Sequence, residues 1–442
     1  MRFCFPKKIA FYFLRNTYEV QQWKKNSRKG MIWSVFVLSC LYATAQQTAT
    51  STDVLRTALK DEVYQQQQGN EAFFNQSSLD LPYLEELEFR TETHEFDPNL
   101  QEYALRFKFN TRRQIKVQKG INQGERSLRY YAQQAYLEEL LFHRYQVLID
   151  AWYHQQQLGL LAAQLPWYRD QEQLIRQRIS ERGQRSYDDL LKLEDDRLAF
   201  RQQQEKSSQE KQLLARLYSN WLGSSTDTLL FPAFPQPEDI AVYWQEWQLD
   251  TLVLPWSVQA QQTQKELVAL ELAVEQAEER NRLNFLQIRY QGDNNPILRE
   301  QLTLGIGVTL PFRSARSVKK QYLLLEQREE AWQEAEKTRS WLEKLRSAEG
   351  QLARQLDNYD RAQKSLEDYI TQFSPQRLTE LGVTEPELLL RAQGGIFQRQ
   401  QFLLEEQQQL YQDYLEALLL SGRLSQAPYR NWLSVEREEI GR

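Results

Sequence analysis

Gln301-Leu302-Thr303-Leu304-Gly305-Ile306-Gly307-Val308-Thr309-Leu310-Pro311-Phe312 is the stretch on which the reading of this chain turns. Leu302, Leu304, Ile306, Val308 and Leu310 alternate with Thr303, Gly305, Gly307 and Thr309, giving a strand with one apolar face and one small, polar face. The flanking sequence is polar and rich in Gln and Glu, so it offers no core for the apolar face. A bilayer does accept such a face: about ten residues with period-two alternation have the length and pattern of a transmembrane β-strand. The alternation assigns Leu302, Leu304, Ile306, Val308 and Leu310 to lipid and the residues between them to water.

Other segments repeat the pattern. Leu87, Phe89, Thr91 and Thr93 alternate with Glu88, Arg90 and Glu92, and Tyr103, Leu105, Phe107 and Phe109 alternate with Ala104, Arg106 and Lys108. Leu286, Ile288 and Tyr290 alternate with Gln287, Arg289 and Gln291. Asp97-Pro98-Asn99 and the stretch from Gly292 to Pro296 supply turn chemistry, so hairpins are expected at about 84–110 and 285–312. Arg90, Arg106, Lys108 and Arg289 then become lumen-facing candidates, mixed in sign with Glu88 and Glu92.

Between the hairpins the period changes from two to seven. From Arg112 to Arg182 the only proline is Pro166, and Leu128, Ala135, Phe142, Ile149, Gln156 and Ala163 recur at heptad spacing beside Tyr131, Tyr145 and Trp152. A helix of that extent is roughly 100 Å long and cannot fold back into a globule. Gly183 ends it, and Ser186 with Asp189 three residues on begins a return helix to about Leu222. A second long helix from about Ser314 carries Leu345, Leu352, Tyr359, Leu366 and Phe373, and breaks at Ser374-Pro375 and Gly382. Thr384 with Glu387 three residues on restarts it, and Leu389, Ile396, Leu403, Leu410 and Ala417 carry the last stripe.

These landmarks superimpose at an offset of 198 or 199 residues (289 − 90, 296 − 98, 384 − 186), which marks an internal duplication. The expected organisation is 1–45 as a signal peptide with a mis-start extension, 46–222 as the first repeat and 223–255 as an irregular Pro- and Trp-bearing connector. A second repeat at 256–421 and a tail at 422–442 follow. Each repeat supplies one hairpin, and four strands cannot close a barrel. Open strand edges are forbidden in hydrocarbon, so the chain must oligomerise. Two copies give eight strands and a filled interior; three give twelve and a lumen, which the small residues of the opening stretch favour.

The short apolar run from Ile32 to Tyr42, followed by Ala43-Thr44-Ala45-Gln46, reads as a secretory leader cleaved after Ala45, with the true start near Met31. Cys4 and Cys40, the only cysteines, fall within that leader. Val37-Leu38-Ser39-Cys40 is a poor lipoprotein box because of Leu38. The net charge of −5 and the absence of a basic patch with interleaved aromatics give no reason to expect nucleic acid.

The stretch from Leu304 to Phe312, Gly183 with Ser186 to Leu191, Gly382 with Thr384 to Leu389, and the duplication together resemble the TolC-like outer-membrane efflux family, over nearly all of the mature chain. The resemblance implies a mostly α fold with a membrane β-hairpin pair: long coiled-coil hairpins forming a periplasmic α-barrel continuous with a twelve-stranded trimeric β-barrel, four strands per chain. It implies an exit duct in the outer membrane, serving a tripartite efflux or type I secretion system. The implied partners are outer-membrane lipid, a periplasmic adaptor (membrane fusion) protein and an inner-membrane RND or ABC transporter. Gly183, Ser186, Asp189, Gly382, Thr384 and Glu387 would form the periplasmic tip that meets the adaptor. Two departures stand out: Leu390 replaces a second expected carboxylate after Glu387, and Leu286 stands where relatives place proline. Glu387 reads equally as a constriction carboxylate or a capping-box residue.

No enzyme chemistry is expected. His143 and His154 could share a helical face, but no cysteine or supporting pattern makes them a metal pair, and no cofactor is implied. Asp188, Asp189 and Glu194 to Asp196 read as a solvated coiled-coil surface. Gly305-Ile306-Gly307 lies within a strand and lacks the helix-opening glycine of a phosphate loop. The competing reading is a structural periplasmic coiled-coil scaffold without a pore, its alternating segments forming a soluble hairpin layer.

Overall fold

The computed structural model of the protein describes residues 49–76, 81–93, 101–182, 187–224, 229–231, 233–248, 254–281, 283–291, 302–308 and 315–441. The proposed leader, Gly183, Ser186 and Leu310 lie outside them.

Four strands form one antiparallel sheet in the order β2-β3-β5-β6: β2 (Leu84–Thr93), β3 (Gln101–Phe109), β5 (Leu283–Gln291) and β6 (Leu302–Val308). Each hairpin has a register irregularity at its helix-side end, between Leu84 and Glu86 in one and between Leu283 and Phe285 in the other. The two lie 199 residues apart (283 − 84), so the duplication extends to a β-bulge.

Helices continue from the strand ends. The major ones are α3 (Arg112–Arg182), α4 (Tyr187–Leu222), α6 (Trp256–Arg280), α7 (Ala315–Phe373) and α9 (Pro386–Leu420), with α8 (Pro375–Glu380) between α7 and α9. On the N-terminal side stand β1 (Ala49–Thr50), α1 (Ser51–Arg56), a short 3-10 turn and α2 (Glu62–Gln76). Packing runs α2-α3-α6-α7 in the half nearer the sheet and α4-α3-α9-α7 in the half nearer the tip. The flanks of this wall are therefore α2 and α4 on one side and α7 on the other.

The heptad reading fits the second repeat better than the first. Leu345, Leu352, Tyr359, Ile396, Leu410 and Ala417 are buried, whereas Leu366, Leu389 and Leu403 are half-buried and Phe373 is exposed. In α3, by contrast, Gln156 and Ala163 are exposed, and the buried seam runs through Leu137, Leu141, Tyr145, Leu148 and Trp152. The cause is that α3 packs against α2 and α6 in one half and α4 and α9 in the other, so no single stripe faces a partner along its whole length.

The hydrophobic core sits as a belt around the middle of the wall. It joins Val54 and Leu55 of α1, Leu137 to Trp152 of α3, Leu410 to Leu418 of α9 and the tail residues Leu424, Trp432 and Leu433. The stretch expected to be an irregular connector contributes β4 (Leu229–Leu230), paired in parallel with β1, and the helix α5 (Pro237–Gln248). The tail forms a second small sheet from β7 (Tyr429–Arg430) and β8 (Glu439–Gly441). Buried Tyr145 pins it by donating to the Arg430 carbonyl (2.8 Å) and accepting from the Trp432 amide (3.1 Å). Both return helices end in this belt with a positive-φ glycine, Gly223 (φ 64°) and Gly422 (φ 69°). At each, the next amide reaches back to a carbonyl five residues earlier, Ser224 to Ser219 and Arg423 to Leu418, the pairing that closes a helix on glycine.

Candidate pore wall and helical tip

Register alone divides the sheet into two faces. One carries Leu87, Phe89, Tyr103, Leu105, Phe107, Leu286, Ile288, Leu302, Leu304, Ile306 and Val308; the other carries Glu88, Arg90, Arg106, Lys108, Gln287, Arg289, Thr303, Gly305 and Gly307. The apolar face is bare. Leu87, Phe89, Leu302, Leu304, Ile306 and Val308 are each more than half exposed, with Leu304 at 65%. Its aromatics form two rows. Phe89 stacks on Tyr103, which leans on Tyr290 near the loop end, and Phe107 stacks on Phe109 at the helix end. Six residues separate Tyr103 from Phe109, about 20 Å along a strand. That spacing suits aromatic girdles flanking an apolar band.

The opposite face is ionic, and its cations are paired. Arg90 reaches Glu88 (2.6 Å), Arg106 reaches the other Glu88 oxygen (3.3 Å), and Lys108 pairs with Glu85. Arg289 bridges strands to Glu102 and, at 3.6 Å, to Glu92. Four cations facing Glu85, Glu86, Glu88, Glu92 and Glu102 leave this face nearly neutral. The β6 side of the face carries only Thr303, Gly305 and Gly307, so it is both small and uncharged. Among the described residues, β2 and β6 each have a partner strand on one side only.

At the far end of the helices, α8 closes with Leu381 as C-cap and Gly382 at φ 84°. The amides of Gly382 and Val383 donate to the carbonyls of Thr379 (3.0 Å) and Leu378 (2.9 Å), so the turn requires glycine at 382. The expected cap at Thr384 is corrected. α9 begins at Pro386 with Glu385 as N-cap, and no side chain caps it. Proline fits the first helical position because its φ is preset and its missing N–H has no partner to lose, which shifts the start past Thr384. Glu387 is not closing a capping box; it pairs with Arg178 of α3, across the two helical hairpins. Glu387 and Asp189 line one groove of about 690 Å³ with Trp167, Arg178, Lys192 and Arg391. Trp167 fixes the floor by donating to the Leu390 carbonyl (2.7 Å), its ring lying where a Gly394 side chain would stand.

Sequence reasoning missed three features. Arg178 carried no signal beyond its place near the helix end. Phe285 was visible as a break in alternation, because Phe285 and Leu286 are consecutive and apolar. The belt was hidden because its pieces come from widely separated parts of the chain. The histidines do not meet: His143 lies edge-on to Trp221, and half-buried His154 packs beside Tyr153 with its pKa lowered by burial. Among the described residues there is no cluster of metal-binding side chains, and no helix is long and apolar enough to cross a membrane.

No protein-family model matches the chain, and neither does any curated protein sequence. Solved structures do. The chain is similar to CusC, whose crystal structures concern transmembrane channel formation, at 13% identity and TM-score 0.57 over 84% of this chain and 92% of that one. The Campylobacter jejuni CmeC outer membrane channel matches at 12% identity and TM-score 0.56, covering 84% and 85%. The open-state Neisseria gonorrhoeae MtrE outer membrane channel matches at 11% identity and TM-score 0.58, covering 85% and 89%. Likeness of this extent establishes the fold: the chain is built as these outer-membrane channels are, mostly α, with long helices and few strands.

Proposed function

We propose that the protein is the outer-membrane exit duct of a tripartite efflux or type I secretion system, working as a ring of three copies. The observation that carries this reading is the inverted sheet: apolar side chains bare on one face, paired ions and glycines on the other, and an unsatisfied edge at each end. Water does not tolerate the first face and hydrocarbon does not tolerate the edges. Pairing β6 of one copy with β2 of the next resolves both, and twelve strands leave room for a lumen.

The helical wall supports the same closure. Its α7 flank shows Val318, Tyr322, Leu325 and Trp332, spaced on one helical face and each more than half exposed. The opposite flanks show Phe73 of α2 and Tyr187, Leu191, Leu198 and Leu213 of α4. Apolar stripes of this extent on a monomer mark an interface. Head-to-tail assembly covers both flanks together with both strand edges. The tip groove lined by Asp189 and Glu387, together with the turn at Gly382, is the surface assigned to the adaptor, which links the duct to an inner-membrane pump.

The competing scaffold requires the alternating segments to be buried, and their exposure speaks against it. Detergent extraction from outer-membrane fractions, a native mass of three chains and stepwise conductance in planar bilayers are the expected results. Recovery as a soluble periplasmic monomer would end the proposal.

A further inference from the structure

The wet face of the sheet carries one large apolar side chain among its described residues. Alternation with Gln287 and Arg289 places Phe285 on this face, opposite Gly307, while the bulge before it leaves Leu283 paired with Val308 on the apolar side. A side chain at 307 could not share this space: its Cβ would lie 2.6 Å from Phe285 Cδ1 and 2.7 Å from Cζ. The Arg106 guanidinium lies 4.1 Å from the ring centroid, and its Nε is buried without a hydrogen-bond partner. The first repeat has a different solution at the same register. There the equivalent positions, 199 residues earlier (285 − 86 and 307 − 108), are Glu86 and Lys108, themselves a cross-strand pair. The second hairpin thus holds a ring over a glycine where the first holds two charges.

Phe285 sits at the end of the sheet that meets the helices, since β5 begins at Leu283 directly after α6 ends at Arg280. Any solute passing from the helical part of a duct into its barrel crosses this level. The ions around it are neutralised by one another, so charge does not discriminate there, whereas an aromatic face does.

We infer that Phe285, backed by Gly307 and Arg106, is a specificity-determining contact for solutes that carry a flat apolar ring, repeated once per copy around the lumen. This rests on the duct reading proposed above. An aromatic contact of this kind alters binding by a factor of about five, enough to bias which solutes dwell in the pore without sealing it.

The test uses the assembled protein in planar bilayers, with naphthalenesulfonate and pentanesulfonate as probes of equal charge. Naphthalenesulfonate is expected to block the current at roughly fivefold lower concentration in the unaltered protein than in Phe285→Leu. Phe285→Tyr, which keeps the ring, should block like the unaltered protein, and pentanesulfonate should not distinguish the three. Equal naphthalenesulfonate block in the unaltered protein and Phe285→Leu, with both conducting, overturns the inference and leaves the duct intact. If the unaltered protein forms no conducting pore, the duct reading itself fails and this inference falls with it.

Discussion

Leu304 in the sheet and Leu137 in the belt are the same side chain under opposite rules. Leu304 is 65% exposed and Leu137 fully buried, yet each obeys the hydrophobic effect if the two regions meet different solvents. In the belt, apolar residues turn inward, and Tyr145 hydrogen-bonds to the tail. In the sheet the apolar residues turn outward and the ions pair on the inside. The difference teaches that burial within one subunit is a poor guide to what holds this fold. On the proposed duct reading, the bare faces and strand edges are completed by lipid and by further copies of the chain.

The largest expected effect lies in the belt. Leu137→Ala should destabilise by about 2–5 kcal/mol through lost burial and a residual cavity, seen as a lower unfolding midpoint in detergent. Leu304→Ala in the same assay should change little, and equal losses at both sites would erase the contrast. Next comes charge on the bare face. Leu304→Arg should cost roughly 2–4 kcal/mol per copy when folding is measured in bilayers. On a water-facing surface the same change would be nearly silent.

A third effect sharpens the belt side. Glu138 lies in the belt, accepts a hydrogen bond from Ser425 (3.1 Å) and has its pKa pushed up to about 7 by burial. A carboxyl raised above its ordinary value favours folding when protonated. Its contribution is therefore whole below the ordinary carboxylate range and is lost as pH rises through 7. Glu138→Gln should stabilise by up to about 3 kcal/mol at pH 8 and bring little at pH 4, in thermal melts across that window. A gain that does not depend on pH would contradict the assignment. The smallest effect is at the tip: Arg178→Ala, which frees half-exposed Glu387, should cost at most about 1 kcal/mol and less at high salt.

The sheet was legible because its period is short and its chemistry redundant: each strand alternates, and the duplication states the pattern twice. The turn at Gly382 was legible for a similar reason, since only a residue tolerant of φ 84° ends a helix that way. The belt was not legible. Its buried residues lie in α1, α3, α5, α9 and the tail, and no local period links Leu55 to Leu433. The heptad register of α3 drifted because the helix exchanges α2 and α6 for α4 and α9 along its length and so hides more than one seam. Glu387 stayed ambiguous between a constriction carboxylate and a capping-box residue because both roles place a carboxylate in the first helical turn; its pairing with Arg178, far away in sequence, goes with the absence of a side-chain cap on α9.

The central claim is that β6 has one lipid-facing and one water-facing side, and cysteine accessibility tests it directly. With Cys4 and Cys40, the only native cysteines, replaced by serine, single variants from Leu302→Cys to Ile306→Cys can be read one at a time in reconstituted membranes. Thr303→Cys and Gly305→Cys should react with a water-soluble thiol reagent, while Leu302→Cys, Leu304→Cys and Ile306→Cys, carrying a fluorophore, should be quenched by lipid-borne quenchers. Uniform reaction along the strand, or uniform protection, would contradict it.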